Sequence, residues 1–149
     1  FKGTVYRQTQ FAEYEMLTNK MYEDGESLTA DNLSSVYLEL NKKYYGSDII
    51  SDEHIAYEWA RIPHFYTPFY VYQYATGYSA AIAISRKILS GDERAKEGYF
   101  KFLSGGSSMN PIELLRLCDV DMATKEPVES ALKLFGELLD EMEEILKTQ

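Results

Sequence analysis

The chain has 149 residues, of which 45% are hydrophobic and 26% are charged. This composition is typical of one folded domain, and it excludes a disordered chain and, because no apolar run approaches about 20 residues, a membrane-spanning one. The formal net charge of −9 argues against nucleic acid as a partner. The one cysteine, Cys118, excludes an internal disulfide; we expect a buried thiol and a cytoplasmic protein.

The first residues already show a helical pattern. The chain begins at Phe1 rather than at methionine, and Val5 and Met16 belong to a series of apolar residues at helical spacing. We therefore expect a fragment that continues an element of a longer protein. A first helix is predicted over residues 6–22, and a turn at Gly25 ends it.

The next two elements differ in the strength of their signals. A second helix can be capped by Thr29 or Ser27, and Gly46 supplies its left-handed stop. The following segment is harder to assign: Asp52 could cap a short helix, which Pro63 would end.

The third main helix has the clearest signals at its ends. Thr67 is its predicted cap, Pro68 its first residue and Gly91 its stop. This helix is apolar on most faces, so we expect neighbours to cover several of its sides. Further helices are predicted over 93–103, from Pro111 after the cap Asn110, and from Glu126 along an apolar stripe to Leu146. No alternating strand pattern appears, and we expect a single all-α, bundle-like domain over 1–149.

Chemically useful side chains are densest between His64 and Tyr74, where Tyr66, Tyr70 and Tyr72 also lie. The predicted helix start adds free backbone N–H groups, which favour negative charge. Histidine and tyrosine donors there could bind a peptide carbonyl and stabilise it as it becomes an oxyanion. Alternatively, Tyr70 and Tyr74 form part of one core face of a helix and His64 packs locally.

Other candidate residues give weaker signals. His54 and Glu58 lie four residues apart and could share a metal with His64, but a solvated helix face is the favoured interpretation. Glu13 and Glu15 are two residues apart, so on a helix they point in different directions and cannot pair as acid and base. We interpret both as ordinary helix acids.

Three segments, in this order, resemble the oligoendopeptidase F family. They are FKGTVYRQTQFAEYE at 1–15, ARIPHFY at 60–66 with FYVYQYATG at 69–77, and MNPIELL at 109–115. That family belongs with the thimet-oligopeptidase-like zinc peptidases. The resemblance covers nearly the whole chain, and it implies a mostly helical fold around a deep channel that admits short peptides.

The resemblance also implies which part of the protein holds the metal and which part contacts the substrate. In that family the HExxH motif and a glutamate on the following helix hold zinc, and these residues are expected before Phe1, in the N-terminal part of the peptidase. This chain would then hold no metal and would be inactive alone. The resemblance assigns the catalytic and substrate contacts to His64, Tyr66, Tyr70 and Tyr72. The alternative function is a non-catalytic helical module that binds a peptide or protein. Apolar surface left uncovered on such a fragment could cause self-association.

Overall fold

The computed structural model describes residues 1–148, and all regular secondary structure within that range is helical. The all-α prediction is therefore confirmed. The α-helices are α1 (Arg7–Glu23), α2 (Ala30–Tyr45), α3 (Tyr72–Leu89), α4 (Glu93–Gly105), α5 (Pro111–Arg116) and α6 (Glu126–Lys147). A π-helical turn, Lys2–Tyr6, precedes α1, and two 3₁₀ helices, Glu53–Arg61 and Pro63–Tyr66, lie between α2 and α3. No helix in the described range combines the length and apolar character needed to cross a membrane.

Most predicted helix ends are confirmed by the local hydrogen bonds. The side chains of Thr29, Asp52 and Asn110 each accept a hydrogen bond from a backbone N–H of the first turn that follows them. These bonds satisfy donors that have no partner within the helix. Gly25 and Gly46 follow α1 and α2 with φ angles of 81° and 75°, which glycine adopts without steric cost.

The predicted start of α3 is wrong. The helix begins at Tyr72, and residues 67–71 form a turn instead of the first helical turn that was expected after Thr67 and Pro68. The physical reason lies at Phe69, whose φ of 58° is left-handed and incompatible with a right-handed helix. His64 therefore lies in the 3₁₀ helix Pro63–Tyr66, and Tyr70 lies on irregular backbone just before α3.

The chain divides into two compact units, the first of which is Phe1–Ala75. Within this unit, α1, α2, the 3₁₀ segments and the turn after them contribute to one buried cluster. Its buried members are Phe11, Tyr14, Tyr37, Leu40, Ile62 and Val71. The ring of Phe65 packs on this cluster, 5.4 Å from the ring of Phe11 and 5.0 Å from that of Tyr14. The core thus fixes the segment that carries the candidate site.

The second unit begins at Thr76 and has its own core. Residues from α3 and from the chain after α5 form it, namely Ala80, Ala83, Ile84, Cys118 and Val120. The approach of α4 to the end of α5 depends on Gly98, because a Cβ atom there would lie 1.7 Å from the carbonyl oxygen of Leu117. No side chain larger than hydrogen fits at that point.

Part of the apolar surface of the second unit is open. A groove of about 910 Å³ runs along α3, with Ile84 and Ile88 on one side and Phe102 and Leu115 among its other lining residues. One face of α3 is therefore open within the described part of the chain, although the helix is buried at Ser79, Ala80 and residues 82–84. On α6 the apolar stripe is exposed at Leu132, Leu138, Leu139, Met142, Ile145 and Leu146.

Candidate functional site

The turn that replaces the predicted helix start brings three rings together, which we call the His64 cluster. The imidazole of His64 stacks on the ring of Tyr70, with centroids 5.6 Å apart and an interplanar angle of 18°. Tyr74, in the first turn of α3, stands edge-on to both, 6.0 Å from the His64 ring and 5.6 Å from that of Tyr70. Offset stacked and edge-on contacts are the favoured geometries for aromatic pairs.

The polar atoms of the His64 cluster are also close to one another. The Tyr74 hydroxyl oxygen lies 3.4 Å from Nε2 of His64. A hydrogen bond with Tyr70 raises the pKa of the Tyr74 phenol above its ordinary value. Tyr70 is 40% exposed and Tyr74 is 38% exposed, so the alternative in which they form a core face is wrong.

The structure shows different environments for the four predicted site residues. The structure brings Tyr70 against His64, whereas Tyr66 and Tyr72 are 78% and 51% exposed. Tyr74 was not among the predicted catalytic residues. Its place in the site depends on the first-turn position that it takes because α3 begins at Tyr72, and the sequence did not predict that start.

The carboxylate of Glu15 reaches this segment from α1. Oε1 of Glu15 accepts a hydrogen bond from the backbone N–H of Phe69 at 2.9 Å, and Glu15 is only 4% exposed. Burial raises the pKa of the Glu15 carboxyl, while the Phe69 N–H and the charge of His64 oppose that shift. Glu15 is thus a buried tether to the turn, and its interpretation as an ordinary helix acid is wrong.

Glu13 makes a different set of contacts, although it lies two residues from Glu15. Its carboxylate accepts hydrogen bonds from Nζ of Lys43 at 2.6 Å and from the hydroxyl of Tyr44 at 2.8 Å, both on α2. The prediction that the two acids point in different directions is therefore confirmed. Glu13 joins two helices, whereas Glu15 holds a turn.

The candidate metal ligand Glu58 is occupied by other partners. Its carboxylate binds the guanidinium groups of Arg7 and Arg61 and the hydroxyl of Tyr37. His54, on the same 3₁₀ helix, is exposed. Within residues 1–148 no three His, Cys, Asp or Glu side chains are grouped so that they could hold a metal ion.

Known proteins match the chain along almost its whole length. The model of peptidase family M3 matches residues 2–134. Oligopeptidase PepF from Bacillus subtilis is 53% identical over 146 residues, which are 98% of this chain and 22% of that protein. The chromosomal oligoendopeptidase F of Lactococcus lactis is 44% identical over 147 residues, 99% of this chain and 24% of that protein.

A solved structure agrees with these matches. The crystal structure of oligoendopeptidase-F from Enterococcus faecium aligns with a TM-score of 0.97 and 45% identity over 100% of this chain and 29% of that chain. The resemblance to oligoendopeptidase F is thereby confirmed, and the chain spans less than a third of the length of these relatives. The chain belongs to peptidase family M3.

Proposed function

We propose that this chain is the C-terminal part of a cytoplasmic, zinc-dependent endopeptidase that hydrolyses short peptides, and that it supplies contacts to the substrate and to the oxyanion. The His64 cluster carries the proposal, because it combines a half-buried imidazole with phenol hydroxyls in a chain of a peptidase family. The names of the relatives, oligopeptidase and oligoendopeptidase, support peptides as substrates.

In this proposal the residues of the chain bind and orient the peptide. His64 and Tyr70, whose rings are in contact, donate hydrogen bonds to the carbonyl oxygen of the scissile bond as negative charge develops there. The exposed phenols of Tyr66 and Tyr72 donate to other polar groups of the substrate. Donors that are already in place strengthen their bonds in the transition state, and this lowers the barrier.

The metal belongs to another part of the protein in this proposal. Residues 1–148 hold no suitable ligand group, so we place the zinc ligands in the N-terminal part of the peptidase, which would be the partner of this chain. Zinc at such a site polarises a carbonyl group and lowers the pKa of bound water. The chain alone would be inactive, and its exposed apolar residues on α6 would favour self-association.

Loss of metal and loss of His64 test the proposal in the full-length protein. Chelation should abolish hydrolysis of a short peptide and zinc should restore it, whereas a non-catalytic binding module would show neither effect. His64→Ala should lower kcat by about 10²–10³, with a smaller change in KM. His54→Ala is the matched control, since that histidine is exposed on the 3₁₀ helix Glu53–Arg61. Equal kcat in the two variants would refute the assignment.

A further inference from the structure

The turn that precedes α3 has an unfavourable backbone conformation at one residue. Phe69 has a φ of 58°, and an aromatic side chain is rarely found in this left-handed region. Proline followed by a residue with positive φ is typical of type II turns, where glycine usually takes the second position. Here Pro68 is followed by Phe69, so a contact outside the turn is needed to favour this conformation.

Glu15 provides that contact. Its Oε1 accepts the Phe69 N–H at 2.9 Å, and the carboxylate is almost completely buried on α1. A buried acceptor that loses its donor is left without a hydrogen-bond partner, and this costs free energy. Burial of Glu15 thus makes any other direction of the Phe69 N–H unfavourable.

The direction of this N–H affects the His64 cluster directly. Tyr70 is the next residue, and Val71 after it is fully buried in the core of the first unit. Earlier in the chain, Phe65 packs on Phe11, and this contact fixes the backbone next to His64. Between these two fixed points, the backbone at Phe69 determines where the Tyr70 ring lies relative to the imidazole.

We propose that Glu15 is a positioning residue of the candidate peptidase site: its carboxylate fixes the Phe69 backbone and so holds Tyr70 against His64. This inference rests on the proposed function of the His64 cluster. Glu15 acts through the turn and is not assigned any contact with substrate. Its role is that of an acceptor, so an uncharged acceptor of the same shape should replace it.

Three variants of the full-length protein test this role. Glu15→Met keeps the length of the side chain but removes the acceptor, Glu15→Gln keeps an acceptor oxygen, and Glu13→Ala removes a carboxylate from the same helix that binds α2 instead. Hydrogen exchange, followed by mass spectrometry of peptides covering 66–71, measures how well the Phe69 N–H is protected by its hydrogen bond to Glu15. This measurement does not require an active enzyme. Peptide hydrolysis gives kcat and KM for each variant.

We expect Glu15→Met to speed exchange of the Phe69 amide at least about tenfold and to lower kcat about tenfold, with little change in KM. Glu15→Gln and Glu13→Ala should stay near the parent in both measurements. If Glu15→Met does not fold, Glu15→Ala, which leaves space for a water molecule at the Phe69 N–H, takes its place.

Several results would overturn the positioning role. One is unchanged exchange in the variant without an acceptor, and another is faster exchange with an unchanged kcat. A third is a kcat as low in Glu15→Gln as in Glu15→Met while the amide stays protected, because the charge and not the tether would then matter. Full turnover in His64→Ala would overturn the proposed function itself, whatever the exchange measurements give.

Discussion

The hydroxyl of Tyr37 donates a hydrogen bond to Oε2 of Glu58 at 2.6 Å, and this bond joins α2 to the 3₁₀ helix Glu53–Arg61. The other carboxylate oxygen binds Arg7 of α1 and Arg61 of the same 3₁₀ helix. Three elements of the first unit thus meet at one buried negative charge. The segment that carries His64 directly follows this junction.

Removal of the Glu58 carboxylate should strongly destabilise the protein. Glu58→Ala leaves Arg7 and the buried Tyr37 hydroxyl without their partner, and loss of one member of a buried pair costs about 3–5 kcal/mol. Glu39→Ala is the control, because its pair with Lys42 is exposed and should contribute at most about 1 kcal/mol. Denaturant unfolding gives both values, and similar losses would contradict the prediction.

The same carboxylate should make stability depend on pH. Burial opposes ionisation of Glu58, but the hydrogen bonds from Arg7 and Tyr37 outweigh it, so the pKa of Glu58 lies below the ordinary value of 4.5. The folded state therefore binds this proton less readily than the unfolded state. The stabilisation is complete above the ordinary pKa and is lost as the pH falls through the lowered one.

Glu58→Gln removes this titration and gives a direct comparison. The difference in the free energy of unfolding between parent and variant should be largest near neutral pH and should shrink as the pH falls below about 4.5. Unfolding curves at several pH values measure it. A difference that stays constant with pH would show that ionised Glu58 does not contribute in this way.

The geometry ranks the tyrosines of the candidate site. Tyr70→Phe keeps the ring that stacks on His64 but removes the hydroxyl, and we expect kcat to fall about 10²-fold if that hydroxyl donates to the oxyanion. The same change at Tyr66 or Tyr72, which are exposed, should affect KM more than kcat. A larger loss of kcat at Tyr66 than at Tyr70 would reverse the ranking.

Two glycines offer a matched test of helix packing in the second unit. Gly98→Ala would place a methyl group against the backbone of Leu117, which cannot move aside as a side chain can, and we expect destabilisation of about 3 kcal/mol or more. At Gly136, in α6, the position that a methyl group would take is open space within the described part of the chain, so Gly136→Ala should stabilise by about 0.5–1 kcal/mol. Equal thermal midpoints for the two variants would refute the packing argument.

Local signals in the sequence predict most of the helices. Caps such as Thr29 and Asn110 act within one turn of the chain, so their positions can be read without knowledge of the fold. The start of α3 could not be found in this way. Thr67 and Pro68 have the residue types of a helix start, but Phe69 adopts a φ of 58°, and its N–H binds a carboxylate 54 residues earlier in the chain.

The candidate site shows the same limit. The residue types and the resemblance identify His64 and the phenols around it, because these depend only on the local sequence. Which phenol meets the imidazole depends on the turn at Phe69, and that turn depends on a contact with α1. The arrangement of the site therefore comes from tertiary structure.

The left-handed backbone at Phe69 also limits the substitutions that this position accepts. Its side chain is exposed, so burial alone would predict that most residue types are accepted there. The dihedral angle sets a different order: glycine and asparagine suit a positive φ, whereas valine and isoleucine, branched at Cβ, do not. In a library of variants randomised at residue 69, the residue types found in folded variants should therefore follow the preference for positive φ and not the polarity of the side chain.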